Sequence, residues 1–204
     1  TVQVVLTPSG DGQSDVHIYS LAGEPTTAIV PTWTRHAIGK VVAGGPLPVV
    51  TADLAALRSA CPESIGVEAF YAQSAARQIV YRVGEAAEAP TYQAVQELRR
   101  GADGALGRLA IHPSLSGEAE LFGLHSVLIE GGVQVALAAL PVGLGTETYL
   151  PVALERLTLY RPGTTNLWAY ASVQPAADGA GEKAEWARAD VTLLDEAGVV
   201  AHLN

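Results

Sequence analysis

Cysteine is nearly missing from this chain. Cys61 is the only one in 204 residues, so no internal disulfide is possible and a reducing cytoplasm is the natural setting. Cys61 precedes Pro62 and has no basic neighbour in sequence, which gives it a structural rather than a nucleophilic reading. Charge is sparse, and basic charge sparser: 12 Lys and Arg against 21 Asp and Glu leave a formal net charge of −9. Such a surface repels phosphates, which argues against DNA or RNA as a partner. No apolar run reaches the roughly 18 residues that cross a bilayer, so no membrane partner is expected. The opening Thr1-Val-Gln-Val-Val-Leu6 lacks the basic start and long apolar stretch of a signal peptide. It reads as a strand already under way, and Gly198–Asn204 ends in another, so a piece of a longer polypeptide is expected. No phosphate-cradling glycine loop and no metal-ligand spacing stands out.

What is present is hydrophobic patterning; nearly half of the residues are apolar, enough for a buried core. Residues 2–7, 16–20 and 32–42 alternate with β-branched side chains and predict an antiparallel three-strand meander. Turn chemistry at Thr7–Gly12 and a Gly/Pro/Thr loop over 21–31 separate them. Residues 44–66 read as a linker with a short helix at Asp53–Arg58. Val67–Arg77 reads as a helix anchored by Phe70 and Tyr71. Tyr92–Leu98 and Gly107–Ile111 read as strands around the turn 101–104. Four more are expected at 149–160, 166–174, 186–194 and 199–203, joined by turns at 161–163, 178–182 and 195–198. Trp33, Trp168 and Trp186 read as core anchors.

Between these strands lies one helix, about 124–140, apolar almost all round and stopped by Pro141. Glu130 and Gln134 interrupt it four residues apart, one turn above the other. Gly131 and Gly132 follow the carboxylate. Each costs a helix about 1 kcal/mol relative to alanine, usually in exchange for something packed against the backbone. The plain reading is a core helix with one solvated edge. The sharper one is a pocket wall carrying a carboxyl and an amide. Strands, one buried helix and more strands make an α+β chain, not a doubly wound parallel sheet. An antiparallel sheet wrapped round such a helix is the hotdog fold. Residues 1–43 read as the closing strands of a first, partly present hotdog, and 67–204 as a second.

Several stretches resemble the dehydratase domain of a modular polyketide synthase, a double hotdog. Thr32-Trp-Thr-Arg-His-Ala-Ile-Gly-Lys40 resembles the family's Trp-x-x-His-Ala-x-Gly strand. Asp53–Arg58 with Val67-Glu-Ala-Phe-Tyr71, and Tyr149–Tyr160, resemble the connection into its second hotdog and the strand after the helix there. The family's His-Pro-x-Leu-Leu-Asp-x-x-x-Gln stands here as His125-Ser-Val-Leu-Ile-Glu-Gly-Gly-Val-Gln134. Ser126 replaces the proline, Glu130 the acid aspartate, and Gln134 is kept. Glu88-Ala-Pro-Thr-Tyr-Gln93 resembles a degraded Tyr-Gly-Pro-x-Phe-Gln element. The family's base histidine lies in a His-x-x-x-Gly-x-x-x-x-Pro segment. His17, His36, His112, His125 and His202 all lack that pattern, and the segment would precede Thr1.

The resemblance implies Glu130 and Gln134 as catalytic residues. His125, Tyr92, Tyr71 and Gly131 would line the substrate, with Tyr81 a further channel candidate, although each aromatic also reads as packing and His125 as a helix cap. It implies no bound cofactor, because the acyl chain arrives on the phosphopantetheine of an acyl carrier protein. Implied partners are that carrier, neighbouring domains such as a ketosynthase, and a second copy in a homodimer. Glu130 reaches about 1.5 Å further than aspartate, and a misplacement of about 1 Å can cost a hundredfold in rate. Two readings stay open. One is an enzyme that dehydrates a β-hydroxyacyl chain or has been repurposed to shift double bonds or close pyran rings. The other is a non-catalytic hotdog scaffold of the branching type. A ligand-binding hotdog outside polyketide synthesis is disfavoured by the breadth of the resemblance.

Overall fold

Alternation of β-branched side chains builds the first sheet. In the computed structural model, β1 (Val2–Gly10), β2 (Gln13–Leu21) and β3 (Trp33–Val42) pair antiparallel in the order β1-β2-β3. The structure describes the chain except residues 11, 22–31, 46, 49, 82–90, 141–147, 163–164 and 176–186. It forms two units, Thr1–Leu47 and Pro48–Asn204. In the first, register puts Val2, Val4 and Leu6 on one face with Val16, Ile18 and Ala37. Trp33, expected as a core anchor, is 38% exposed, because the described residues of this unit form a single layer.

The second unit carries α1 (Leu54–Ala60), β4 (Glu63–Ile65), α2 (Val67–Ala76), β5 (Val95–Arg100), β6 (Ala105–Ala110), a 3₁₀ segment at Pro113–Leu121 and α3 (Ser126–Ala139). It continues with β7 (Leu157–Leu159), β8 (Asn166–Pro175), β9 (Ala187–Asp195) and β10 (Gly198–Leu203). The seven strands form one antiparallel sheet in the order β4-β5-β6-β8-β9-β10-β7. The stretch expected as a linker, 44–66, therefore holds an edge strand, because β4 hydrogen-bonds along β5. Asp53 caps α1 by accepting from the Ala56 N–H at 3.0 Å.

Helix α3 lies across β5, β6, β8 and β9. Val127, Leu128 and Val135 of α3 are fully buried with Leu98, Leu109, Leu167 and Leu193 of the sheet. Each such side chain contributes about 1.5–3 kcal/mol on burial. Glycine sets the spacing. A Cβ on Gly107 of β6 would stand 2.5 Å from Val135 Cγ2, and one on Gly132 would stand 2.9 Å from Val191 Cγ1. At the far end, Arg100 of β5 donates to the Ala138 carbonyl at 2.8 Å through Nε and to Leu140 at 3.2 Å. Those are helix-end carbonyls with no partner inside the helix. No helix among the described residues is long and apolar enough to cross a membrane.

Two expected strands are shorter than their patterns. Of 149–160 only Leu157–Leu159 is a strand, although Leu150, Val152 and Leu154 alternate. Those three are exposed, and the Glu155 and Arg156 N–H groups instead converge on the Asn204 carbonyl at 2.7 and 3.1 Å. β5 starts at Val95 rather than Tyr92, because the Tyr92 carbonyl turns inward to the Ala94 N–H and to Gln134. The expected loop over 22–31, Pro141, Gly163, the turn at 178–182, Trp186 and residues 88–90 lie outside the described residues.

Helix α2 ends in a Schellman arrangement: Gln78 N–H donates to Ala75 and Ile79 N–H to Ser74. The arrangement puts Gln78 at φ +64°, a conformation that costs a side-chain-bearing residue about 1–2 kcal/mol. Gln78→Gly should raise stability by about 1 kcal/mol or somewhat less, since glycine also loses more chain entropy on folding. Gly107→Ala should lower it by about 1–3 kcal/mol, because the stiff Val135 side chain fills the space. Thermal and urea unfolding of the two variants beside the parent checks both.

Candidate active site

The site grows from the start of α3. His125 is its N-cap: Nδ1 accepts from the Val127 N–H at 3.2 Å, and Phe122 packs edge-on at 5.1 Å between centroids. That cap satisfies a helix-end donor and fixes where the next turns point. Glu130 follows just over one turn later, half-buried, and Gln134 one turn beyond it, fully buried.

Gln134 is held from two sides. Its Oε1 accepts from the Tyr71 hydroxyl at 2.8 Å, and its Nε2 donates to the Tyr92 carbonyl at 2.8 Å. The Tyr71 oxygen accepts from the Val95 N–H at 2.9 Å. α2, the turn at Tyr92 and β5 thus meet at one amide. Tyr81 packs edge-on against Tyr71 at 5.7 Å, and the Ser74 hydroxyl donates to the Phe70 carbonyl at 3.1 Å.

Electrostatics singles out Glu130. Burial pushes its carboxyl above the usual glutamate range, and a side-chain hydrogen bond from Gln134 pulls it part of the way back. Both tyrosines feel its charge. Tyr81 is pushed up to about 12, by burial first and by Glu130 second. Tyr71 is raised by burial, opposed by the Val95 hydrogen bond, with smaller upward pushes from Tyr81 and Glu130. Both hydroxyls are therefore neutral donors at ordinary pH. A carboxyl kept protonated above its usual range is suited to giving a proton to a leaving oxygen.

The expected residues divide. Glu130, Gln134, Tyr71 and Tyr81 form one group, and Tyr92 joins it through its carbonyl. The Tyr92 hydroxyl lies 3.5 Å from Ser126 Oγ. Gly131 is closely packed: a Cβ there would stand 2.9 Å from Ala94 Cβ and 3.0 Å from a Leu109 methyl. His125 is committed to its cap. The Val95 N–H had no signal in the sequence, because its role depends on a partner supplied by the fold. A cleft of about 400 Å³ lies elsewhere, lined by Arg108, Trp168 and Asp195 among others, and Glu130 is not among its walls.

The raised carboxyl makes a stability prediction. Its folded-state pKa lies above the unfolded one, so its contribution is complete below the ordinary glutamate value and is lost as pH rises through the folded-state value. Glu130→Gln should therefore unfold at a higher temperature than the parent near neutral pH. The advantage should shrink as pH falls toward 4.5, the ordinary value. Melting curves across that range check it.

Comparison with known proteins gives this group its context. Residues 50–204 match the family model described as polyketide synthase dehydratase N-terminal domain. The chain is 30% identical over 168 residues to the pikromycin polyketide synthase component PikAII of Streptomyces venezuelae, covering 81% of this chain and 4% of that protein. The dehydratase domain from the CurF module of curacin polyketide synthase superposes with a TM-score of 0.80 at 25% identity, covering 100% of this chain and 66% of that one. A trans-AT polyketide synthase dehydratase domain from Brevibacillus brevis gives 0.78 at 26% identity, covering 100% and 67%. The chain thus spans a few per cent of the curated relative and about two thirds of the solved domains. An antiparallel sheet packed on one buried helix, with the α+β hotdog fold of its structural neighbours, and a family model matched over most of its length place this chain in the polyketide synthase dehydratase family.

Proposed function

We propose that this chain serves the removal of water from a β-hydroxyacyl chain tethered through phosphopantetheine to an acyl carrier protein. Glu130 is the acid of that reaction. The observation that carries the reading is the Glu130 carboxyl, half-buried beside two neutral tyrosines and shifted toward its protonated form. In the step, the carboxyl gives its proton to the β-hydroxyl and the carbon–oxygen bond breaks, releasing water. The electron pair of the α C–H bond becomes the double bond, and the α proton passes to a base. No described residue is assigned that base. In the second unit, His112 is hydrogen-bonded to Ser114, His125 caps α3, and His202 faces Thr192 and Asp190. The family resemblance assigns the base to a His-x-x-x-Gly-x-x-x-x-Pro segment, a pattern that none of the five histidines of this sequence fits. No cofactor of the chain's own enters this step.

A second reading is a non-catalytic domain that positions the carrier or supports a neighbouring ketosynthase. Glu130 in place of the motif's aspartate, with Ser126 in place of its proline, favours it, because the longer side chain displaces the carboxyl.

The test is to offer a β-hydroxyacyl carrier protein to the intact synthase polypeptide and follow loss of water by mass spectrometry. The expected result is product from the parent and a loss of about 10²–10⁴-fold in Glu130→Gln, the range for removing a general acid. The rate should fall as pH rises through the raised Glu130 value, since the protonated form does the work. No product from the parent, and none from Glu130→Asp, would remove dehydration and leave the scaffold.

A further inference from the structure

We propose that Tyr71 is a positioning residue for Glu130, clamping the Gln134 amide so that its N–H edge, not its carbonyl, is presented to the carboxyl. The inference deepens the reading of Glu130 as the acid and rests on it for its catalytic meaning.

The argument is one of donors and acceptors. A backbone N–H can only donate, so the Val95 N–H, 2.9 Å from the Tyr71 oxygen, takes one of that oxygen's acceptor positions. Tyr71 has one proton, and it points to the remaining neighbour, Gln134, 2.8 Å away. The Gln134 atom there must therefore be the carbonyl oxygen. On the other side, the Tyr92 carbonyl can only accept, so the atom 2.8 Å from it must be Nε2. The two ends agree, and an amide flip would set two oxygens against each other at Tyr92 and leave the Tyr71 proton without an acceptor. An amide nitrogen has two protons. One is spent on Tyr92, and the other is available to the carboxyl of Glu130, four residues back on the same helix.

Burial makes this arrangement stiff. Gln134 has no exposed surface, and Tyr71 and Tyr81 are 9% and 8% exposed. Water cannot easily replace a lost partner there, so a missing bond leaves the amide loosely held. Beside burial, the group among the described residues that acts on Glu130 is Gln134 on α3 itself, while the charge of Glu130 is felt by Tyr71 on α2 and Tyr81 after it. Neither tyrosine changes charge across the working range, so neither can imitate the effect of the amide. Tyr71 itself is buried against Phe70 and Tyr81 and acts through Gln134 rather than on substrate.

The experiment follows the Glu130 side-chain carboxyl carbon by NMR titration of the 204-residue chain. Tyr71→Phe should move the titration to higher pH, because a loosened amide stabilises the carboxylate less. Gln134→Leu should move it the same way, and the double variant should titrate like Gln134→Leu alone. An unmoved titration in Tyr71→Phe, or shifts that add in the double variant, would overturn the proposal. In the parent, the Gln134 side-chain amide signals should titrate together with Glu130; signals indifferent to it would overturn the proposal equally, without any variant having to fold. The readout needs no turnover. An inactive synthase with the expected NMR shifts retires the dehydration reading alone, and an active one with unmoved titrations retires the Tyr71 role alone.

Discussion

The close approach of α3 to its sheet is the constraint on which the second unit depends. Gly107 and Gly132 remove side chains where Val135 and Val191 need the room. The helix then lies near enough for its polar residues to be reached from the strands. The Tyr92 carbonyl bonds to Gln134 and Arg100 reaches the last carbonyls because the two layers are this near. Gly131 and Gly132 lie inside the helix and reduce its intrinsic stability. Here they are the condition for the packing that restores it, as dispersion and burial accumulate over the whole contact.

The same closeness shapes the surroundings of Glu130. A glutamate on an exposed helix face titrates as glutamate. Glu130 is drawn into a region shared with two buried tyrosines, and loss of water around it favours the protonated carboxyl. Gln134, one turn along the helix, works against that trend by favouring the carboxylate. Desolvation and hydrogen bonding thus oppose each other, and a residue set between them can hold a proton loosely enough to give it up. The tyrosines serve as neutral bodies that exclude water and as hydrogen-bond anchors, not as bases.

Family membership and local chemistry agree on where to look and differ in one particular. The family resemblance implies an acid on the helix after the motif histidine, and Glu130 is the residue proposed for it, with a longer arm. Its charge is felt by Tyr71 on α2 and by Tyr81 after it. Whether the extra length repositions the proton or withdraws it from substrate is the point on which the dehydratase and scaffold readings part.

Much was legible in the chain itself. Alternating β-branched residues marked the meander, an apolar run marked α3, and the four-residue spacing put Glu130 and Gln134 on one side. These are local properties of periodicity, and a local pattern suffices to state them. Pattern failed where a partner decided the outcome. Leu150, Val152 and Leu154 alternate like a strand, yet they are exposed, and bonding to Asn204 begins only at Glu155 and Arg156. Gln78 adopts a conformation usual for glycine because the end of α2 requires it. Gly131 looked like space for a substrate and is filled by Ala94 and Leu109. The partners of Gln134 lie 63 and 42 residues away in sequence. The sequence therefore determined that a carboxyl and an amide share a buried helix. Only the tertiary structure decided what they face, because hydrogen-bond direction and desolvation are set by neighbours that no local spacing can specify.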